Sequence, residues 1–333
     1  MTLIDITNQF SHRPVMPLMG YPGIQLTGST IWQNEFNADM QVRTLKALAD
    51  QYQPDALFPF MDLAVEAGAI GLPVVYPLNE SPTVIEHPVK SANDLKALRV
   101  VDPLNDARVR TFVDVVHRLA EETDMLTGAY VIGPFTLAGL MVGASEIAMA
   151  TITDPALVHA CLEFAVEVIK PIAKAYDDAG ADMLMVLEPT VSFISPKAFR
   201  TFSGPYLERI YDGLEAAPIL HICGKTDHLI DAMCETGAQG LSLDAQLDLT
   251  EVIHRVPPDV VLIGNIDPVG VMANGTAGEV RQAAADLLSR MESYPNFILS
   301  TGCDLPPETP LENIGALMSA AHEQTGTLAH SEC

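Results

Sequence analysis

Eight short apolar runs, each bounded by turn-forming residues, tightly limit what this 333-residue chain can become. They are Val15–Gly20, Ala56–Asp62, Thr127–Gly133, Met183–Glu188, Ile219–Cys223, Gly240–Asp244, Val261–Ile266 and Phe297–Cys303. Stretches of helical periodicity separate them. From Ala156 to Tyr176, the residues Leu157, Ala160, Cys161, Phe164, Val168 and Ile172 form one stripe. Glu163, Glu167, Lys170 and Lys174 fall off it, as an amphipathic helix requires, and Pro171 is placed to kink it. Thr226–Thr236 and Thr276–Ser293 follow the same rule, and Thr276 can cap the latter. Strand then helix, repeated about eight times, is the pattern of an α/β TIM-type (β/α)8 barrel. The proline-rich stretch Pro73–Pro103 breaks the pattern and reads as an excursion beside the barrel. With no low-complexity tract and no linker, residues 1–333 read as a single domain.

Charge and cysteine usage narrow the function. The net charge of −25, from 43 acidic and 18 basic residues, repels phosphate backbones and argues against a nucleic-acid partner. No apolar run approaches the roughly 20 residues needed to span a bilayer. The N-terminus has no basic segment followed by an apolar core, so a cytoplasmic location is expected. Five cysteines (Cys161, Cys223, Cys234, Cys303 and Cys333) make an odd set for disulfides in such a chain. Cys161 and Cys234 lie in helical apolar patterns and read as core, and Cys333 is the last residue.

In a (β/α)8 barrel the chemistry gathers at the C-terminal ends of the strands. The residues that end or follow the eight runs are Gly20-Tyr21, Asp62, Gly133-Pro134, Glu188, His221 with Cys223, Asp244, Asn265 with Asp267, and Cys303 with Asp304. Polar and metal-capable groups recur at nearly every one. His221 and Cys223 are two apart on a strand, so both point to one side. Cys303 ends the last run and reaches the same rim. One nitrogen and two sulfurs suit Zn2+, and three protein ligands leave a fourth position for a guest. Glu188 is the first choice for an acid that fills this position at rest. His228 reads as a surface histidine.

The segments HICGKTDHLI, GNIDPVGVMANGT and GCDLPPETPLENI resemble the uroporphyrinogen decarboxylase superfamily, and within it the corrinoid-dependent methyltransferase branch. The resemblance runs from about Arg13 to about Ala321. In that branch a His-x-Cys pair and a distant Cys bind zinc, which His221, Cys223 and Cys303 match position by position. The decarboxylases carry an arginine-rich N-terminal segment for the carboxylates of their porphyrinogen. Here the corresponding stretch, Pro14 to Gly28, contains no arginine, and Arg13 lies just before it. That absence argues against uroporphyrinogen decarboxylation. Asp62 matches the general position of an acid in the decarboxylases, but without the arginines the catalytic role does not follow.

The resemblance implies methyl transfer between a corrinoid cobalt and a zinc-activated thiol, with the corrinoid supplied as methylcobalamin or by a partner protein. His221, Cys223 and Cys303 would bind the metal. Glu188 would be an exchangeable ligand and Asp244 would orient the site. Tyr21, Asp62, Gly133, Pro134 and Asn265 would shape or bind the substrate. The expected partners are a corrinoid protein, a small methyl acceptor or donor, and a second copy of the chain. Two rival readings use the same ligands: transfer from a methyl ether onto the corrinoid, with zinc as Lewis acid, and a structural zinc without catalysis.

Overall fold

The computed structural model describes residues 1–98 and 102–328. Its centre is a seven-stranded sheet in which every pairing is parallel. The strands are β1 (Ala56–Leu57), β4 (Leu126–Ile132), β5 (Met183–Leu187), β6 (Ala217–Ile222), β7 (Gly240–Leu243), β8 (Val261–Ile266) and β9 (Phe297–Thr301), adjacent in that order. The excursion holds a separate antiparallel pair, β2 (Val74–Val75) and β3 (Thr83–Val84). Seven of the eight apolar runs therefore overlap a sheet strand, and β8 has the expected limits.

Side-chain alternation divides the core in two. Met183, Met185, Ala217, Ile219, Val261, Ile263 and Ile298 belong to one buried cluster. Leu184, Val186, Leu220, Ile222, Leu241, Leu243, Leu262 and Leu299 belong to a second, shared with the helices. Both faces of every long strand are thus dry, which explains why the strands read as continuous apolar runs. Each fully buried Leu or Ile contributes about 1.5–3 kcal/mol relative to exposure, and dozens are present.

The helices follow from their stripes. Helix α1 (Ala38–Tyr52) and α2 (Ala107–Glu122) pack beside the start of the sheet, α3 (Pro134–Val142) follows β4, and α4 (Pro155–Asp178) follows it in the chain. Helix α4 carries Pro171 within its length. Helix α5 (Ala277–Arg290) begins at Thr276, whose hydroxyl accepts from the Glu279 N–H while the Glu279 carboxylate accepts from the Thr276 N–H. The expected helix Thr226–Thr236 shrinks to Ile230–Cys234. Cys161 is fully buried on α4 and Cys234 packs half-buried against the core, whereas Cys333 lies outside the described residues. Among the described residues no single helix is long and apolar enough to cross a membrane.

The run Val15–Gly20 is not a regular strand. It contributes one isolated parallel bridge, Val15 to Leu299. Pro14 and Pro17 explain the difference, because proline has no N–H to give a ladder. The segment is nevertheless tied on both sides. The Met16 N–H donates to the Leu299 carbonyl and the Leu299 N–H to that of Pro14, while the Asp55 N–H, just before β1, donates to the Val15 carbonyl. Side chains replace missing ladder bonds: the Asp55 carboxylate accepts the Val15 N–H at 2.7 Å, and the Thr301 hydroxyl accepts that of Leu18 at 3.1 Å. Beside this seam, the Arg13 guanidinium donates to the carbonyls of Met291, Glu292, Tyr294, Pro295 and Phe297. In the same way β1 stops at Leu57, because Pro59 follows two residues later.

Candidate metal centre

Strand β6 delivers the first two donors. Ala217 and Ile219 face the enclosed cluster, so alternation carries His221 and then Cys223 to that side at the strand's C-terminal end. Gly224 then turns the chain with φ of 86°, a left-handed conformation that favours glycine. Its N–H donates to the Asp244 carboxylate at 2.8 Å, fixing the loop immediately after the cysteine. Cys303 arrives from the end of β9, two residues past Thr301.

His221, Cys223 and Cys303 place one nitrogen and two sulfurs within 4.8 Å of one another. The His221 Nε2 lies 3.0 Å from the Cys223 Sγ and 3.7 Å from that of Cys303, and the two sulfurs are 3.3 Å apart. The contact between the two sulfurs holds Cys303 well below the ordinary thiol range. The same contact, with burial, pushes Cys223 upward. A divalent cation bound to the two sulfurs would displace their protons. This donor set fits zinc: borderline and soft atoms, closely spaced.

The other residues singled out from the sequence divide by their contacts. Asp244 belongs beside the centre, with Oδ2 on the Gly224 N–H and Oδ1 on that of Gln246 at 2.9 Å. Asn265 ties the same neighbourhood together by donating to the carbonyls of Asp244 and Leu247. Glu188 is not brought to the three donors. It is fully buried at the amino end of α3, where Oε1 accepts from the Phe135 N–H and the Ser203 hydroxyl and Oε2 from the Thr136 N–H, at 2.8–3.0 Å. Both oxygens are therefore occupied by the helix terminus, a favourable place for a carboxylate. Burial still raises its pKa to about 7.

Gly133 and Pro134 serve that same junction. Pro134 opens α3, where a missing N–H costs nothing. A Cβ on Gly133 would stand 2.1 Å from the Glu188 carboxylate, so only glycine fits. Tyr21 is buried, with its hydroxyl donating to the Met61 carbonyl at 2.7 Å. Asp62 is held in a buried ionic hub, where Arg108 binds both Asp62 and Glu35. The guanidinium also sits over the rings of Phe36, Tyr76 and Phe112. Asp267 caps a turn by accepting from the Val269 and Gly270 N–H groups. His228 is exposed, as expected.

Several residues near the chemistry were given no role by the sequence reading. Asp304 follows Cys303, and its Oδ2 is shut off from solvent without a hydrogen-bond partner. Burial, then the negative charge of Cys303, raises its pKa. Tyr130 stacks on Phe58 in the enclosed cluster and feels the charges of Asp304 and Cys303 after the effect of its own burial. Ser242 touches the His221 ring at 2.9 Å. For Asp304 the available signal was its place in the strand-end pattern. Arg108 and Glu35 carried none. A cavity of about 680 Å3, lined by Phe10, Leu126, Asp182 and Glu215 among others, opens at the opposite ends of the strands and holds none of the metal-binding donors.

Comparisons with known proteins place the chain in a family. Residues 9–324 match the uroporphyrinogen decarboxylase family. A methylcobamide:CoM methyltransferase from Methanosarcina acetivorans is 30% identical over 271 residues, covering 79% of this chain and 78% of the relative. A uroporphyrinogen decarboxylase from Pseudoalteromonas translucida is 28% identical over 300 residues, covering 86% and 84%. Among solved structures, a methyltransferase from Methanosarcina mazei superposes with a TM-score of 0.87 over 97% of both chains, at 23% identity, and so shares the fold. This chain belongs to the uroporphyrinogen decarboxylase family.

Proposed function

We propose that the chain transfers a methyl group between a corrinoid and a thiol acceptor activated by zinc, with His221, Cys223 and Cys303 holding the metal. The observation that carries this reading is the meeting of one imidazole and two sulfurs, 80 residues apart along the chain, around a single point. A zinc ion bound there supplies the positive charge that keeps an acceptor thiol deprotonated near neutral pH. The protein's own task is to hold three donors in place and leave the fourth direction open. Asp244 anchors the loop after Cys223, and Asn265 anchors Asp244. Glu188 belongs to the scaffold of this rim through its bonds to α3.

The names of the methyltransferase relatives support the corrinoid side of the reaction and suggest a small thiol as acceptor. A corrinoid protein is the proposed methyl carrier. Decarboxylation of a multiply charged porphyrinogen is poorly supported, because Arg13 is engaged with five backbone carbonyls and Arg108 with two carboxylates. For the scaffold, the seam at Val15 supports reading the sheet as a closed eight-membered barrel forming one domain, with Pro14–Met16 as its irregular member.

The test is to incubate the zinc-loaded protein with methylcobalamin and either coenzyme M or homocysteine, following loss of the cobalt–methyl absorbance and formation of the methyl thioether. Transfer to one of these thiols is expected. Demethylation of methoxy-aromatics onto reduced corrinoid, with no transfer to any thiol, would replace this reading by the ether-demethylating one.

A further inference from the structure

Strand β7 contributes no metal ligand, yet it touches the metal centre directly. The parallel register of β6 and β7 sets Ser242 opposite His221. Both residues are buried, Ser242 completely, and the Ser242 Oγ lies 2.9 Å from the His221 Nδ1. Among the described residues this is the hydrogen bond made by Nδ1, and the flanking Leu241 and Leu243 pack in the other cluster. The second ring nitrogen, Nε2, faces the sulfurs of Cys223 and Cys303.

A neutral imidazole carries one N–H and one lone pair. With the proton on Nε2, the ring would aim an N–H at the two sulfurs and could not bind a cation. With the proton on Nδ1, the lone pair faces the sulfurs. Shielded from water, the ring takes its instruction from whatever partner the protein supplies. We propose that Ser242 is a positioning residue that accepts the Nδ1–H of His221, fixing the tautomer and ring rotation that aim Nε2 at the metal. The proposal rests on the zinc reading above.

The choice of a hydroxyl has a further meaning. A carboxylate at this place would add a full negative charge beside two sulfurs and Asp304. A neutral acceptor orients the ring while leaving the zinc less thoroughly neutralised, so that an anionic sulfur guest is attracted more strongly.

The experiment compares wild type, Ser242→Ala and Ser242→Thr. In the metal-free proteins, nitrogen chemical shifts of the imidazole report the tautomer without reference to metal or activity. Wild type and Ser242→Thr should hold the Nδ1–H form, whereas Ser242→Ala should show a mixture. Competition with a chelator should then show zinc bound about 10- to 100-fold more weakly by Ser242→Ala, with Ser242→Thr restoring most of the affinity. An unchanged tautomer and unchanged zinc affinity in Ser242→Ala, with only a lower melting temperature of the metal-free protein, would reduce Ser242 to packing and overturn the proposal. Failure of wild type to bind zinc would overturn the zinc reading itself, while the tautomer measurement separately decides whether Ser242 sets the ring.

Discussion

Two buried clusters of titratable side chains lie in this molecule, and they differ in whether their charges are answered from within. At the hub of Arg108, Glu35 and Asp62, a guanidinium stands between two carboxylates and rests on three aromatic rings. At the other cluster, one imidazole and two sulfurs face one another, with 3.0 Å from the ring nitrogen to Cys223 and 3.3 Å between the sulfurs. Both contain shifted groups: burial, followed by the neighbouring Asp62, raises Glu35, and Cys303 is lowered by Cys223. A shifted pKa alone therefore does not distinguish a site from a strut. The telling feature is the chemistry of the partners: an arginine answers the carboxylates in one place, and in the other the donors are the nitrogen and sulfurs that suit a metal ion.

The largest expected effect breaks the second cluster. Cys223→Ser or Cys303→Ser should lose zinc and methyl transfer together while the metal-free protein keeps its fold, as metal analysis, a methyl-transfer assay and circular dichroism would show. A variant with full activity and no metal would contradict the mechanism. The next change inverts the result. Arg108→Met removes the internal cation and should cost about 3–5 kcal/mol in urea unfolding, with zinc content unchanged in the folded fraction. If instead it abolishes zinc binding in protein that remains folded, the two clusters are one functional unit.

Smaller effects sharpen the contrast through buried carboxyls whose hydrogen bonds come from backbone and hydroxyl groups. Burial holds Glu66 and Glu188 near pH 7 in the fold, against an ordinary value of 4.5. Between those values the folded state binds more protons than the unfolded chain, so their contribution makes stability fall as pH rises and level off above about 7. At about 1.4 kcal/mol per pH unit of displacement, each contributes no more than about 3.5 kcal/mol. Melting curves from pH 4.5 to 8 would reveal the slope, and Glu188→Gln should remove roughly half of it. That substitution also presents an amide N–H2 to donors, at about 1–3 kcal/mol, without altering zinc affinity. A change in zinc affinity would return Glu188 to the metal.

The legible parts of the fold were those in which local pattern and burial agree. Strands β4 to β9 are dry on both faces, so each reads as an apolar run, and alternation alone predicts that His221 and Cys223 share a side. The run at Val15 misled because its apolar residues announce burial while Pro14 and Pro17 deny the ladder. Glu188 was correctly placed at a strand end but wrongly aimed, since the N–H groups that hold it come from α3, 52 and 53 residues earlier. Ser242 was hidden for a different reason: its run was recognised, but the register between two strands is not written in either. Arg108 meets Glu35 across 73 residues, and neither sits in a run that marks it.

The stitch at Val15 has a consequence for how the molecule is born. The Ser300 hydroxyl bonds to the Met16 carbonyl across 284 residues of chain. During synthesis the opening segment must wait beside an unfinished wall, its proline-broken backbone giving it little tendency to pair on its own, until the ribosome has made the strand that receives it. The last wall to be built brings Cys303 with it, so the seam and the third metal ligand become available in the same stretch of translation.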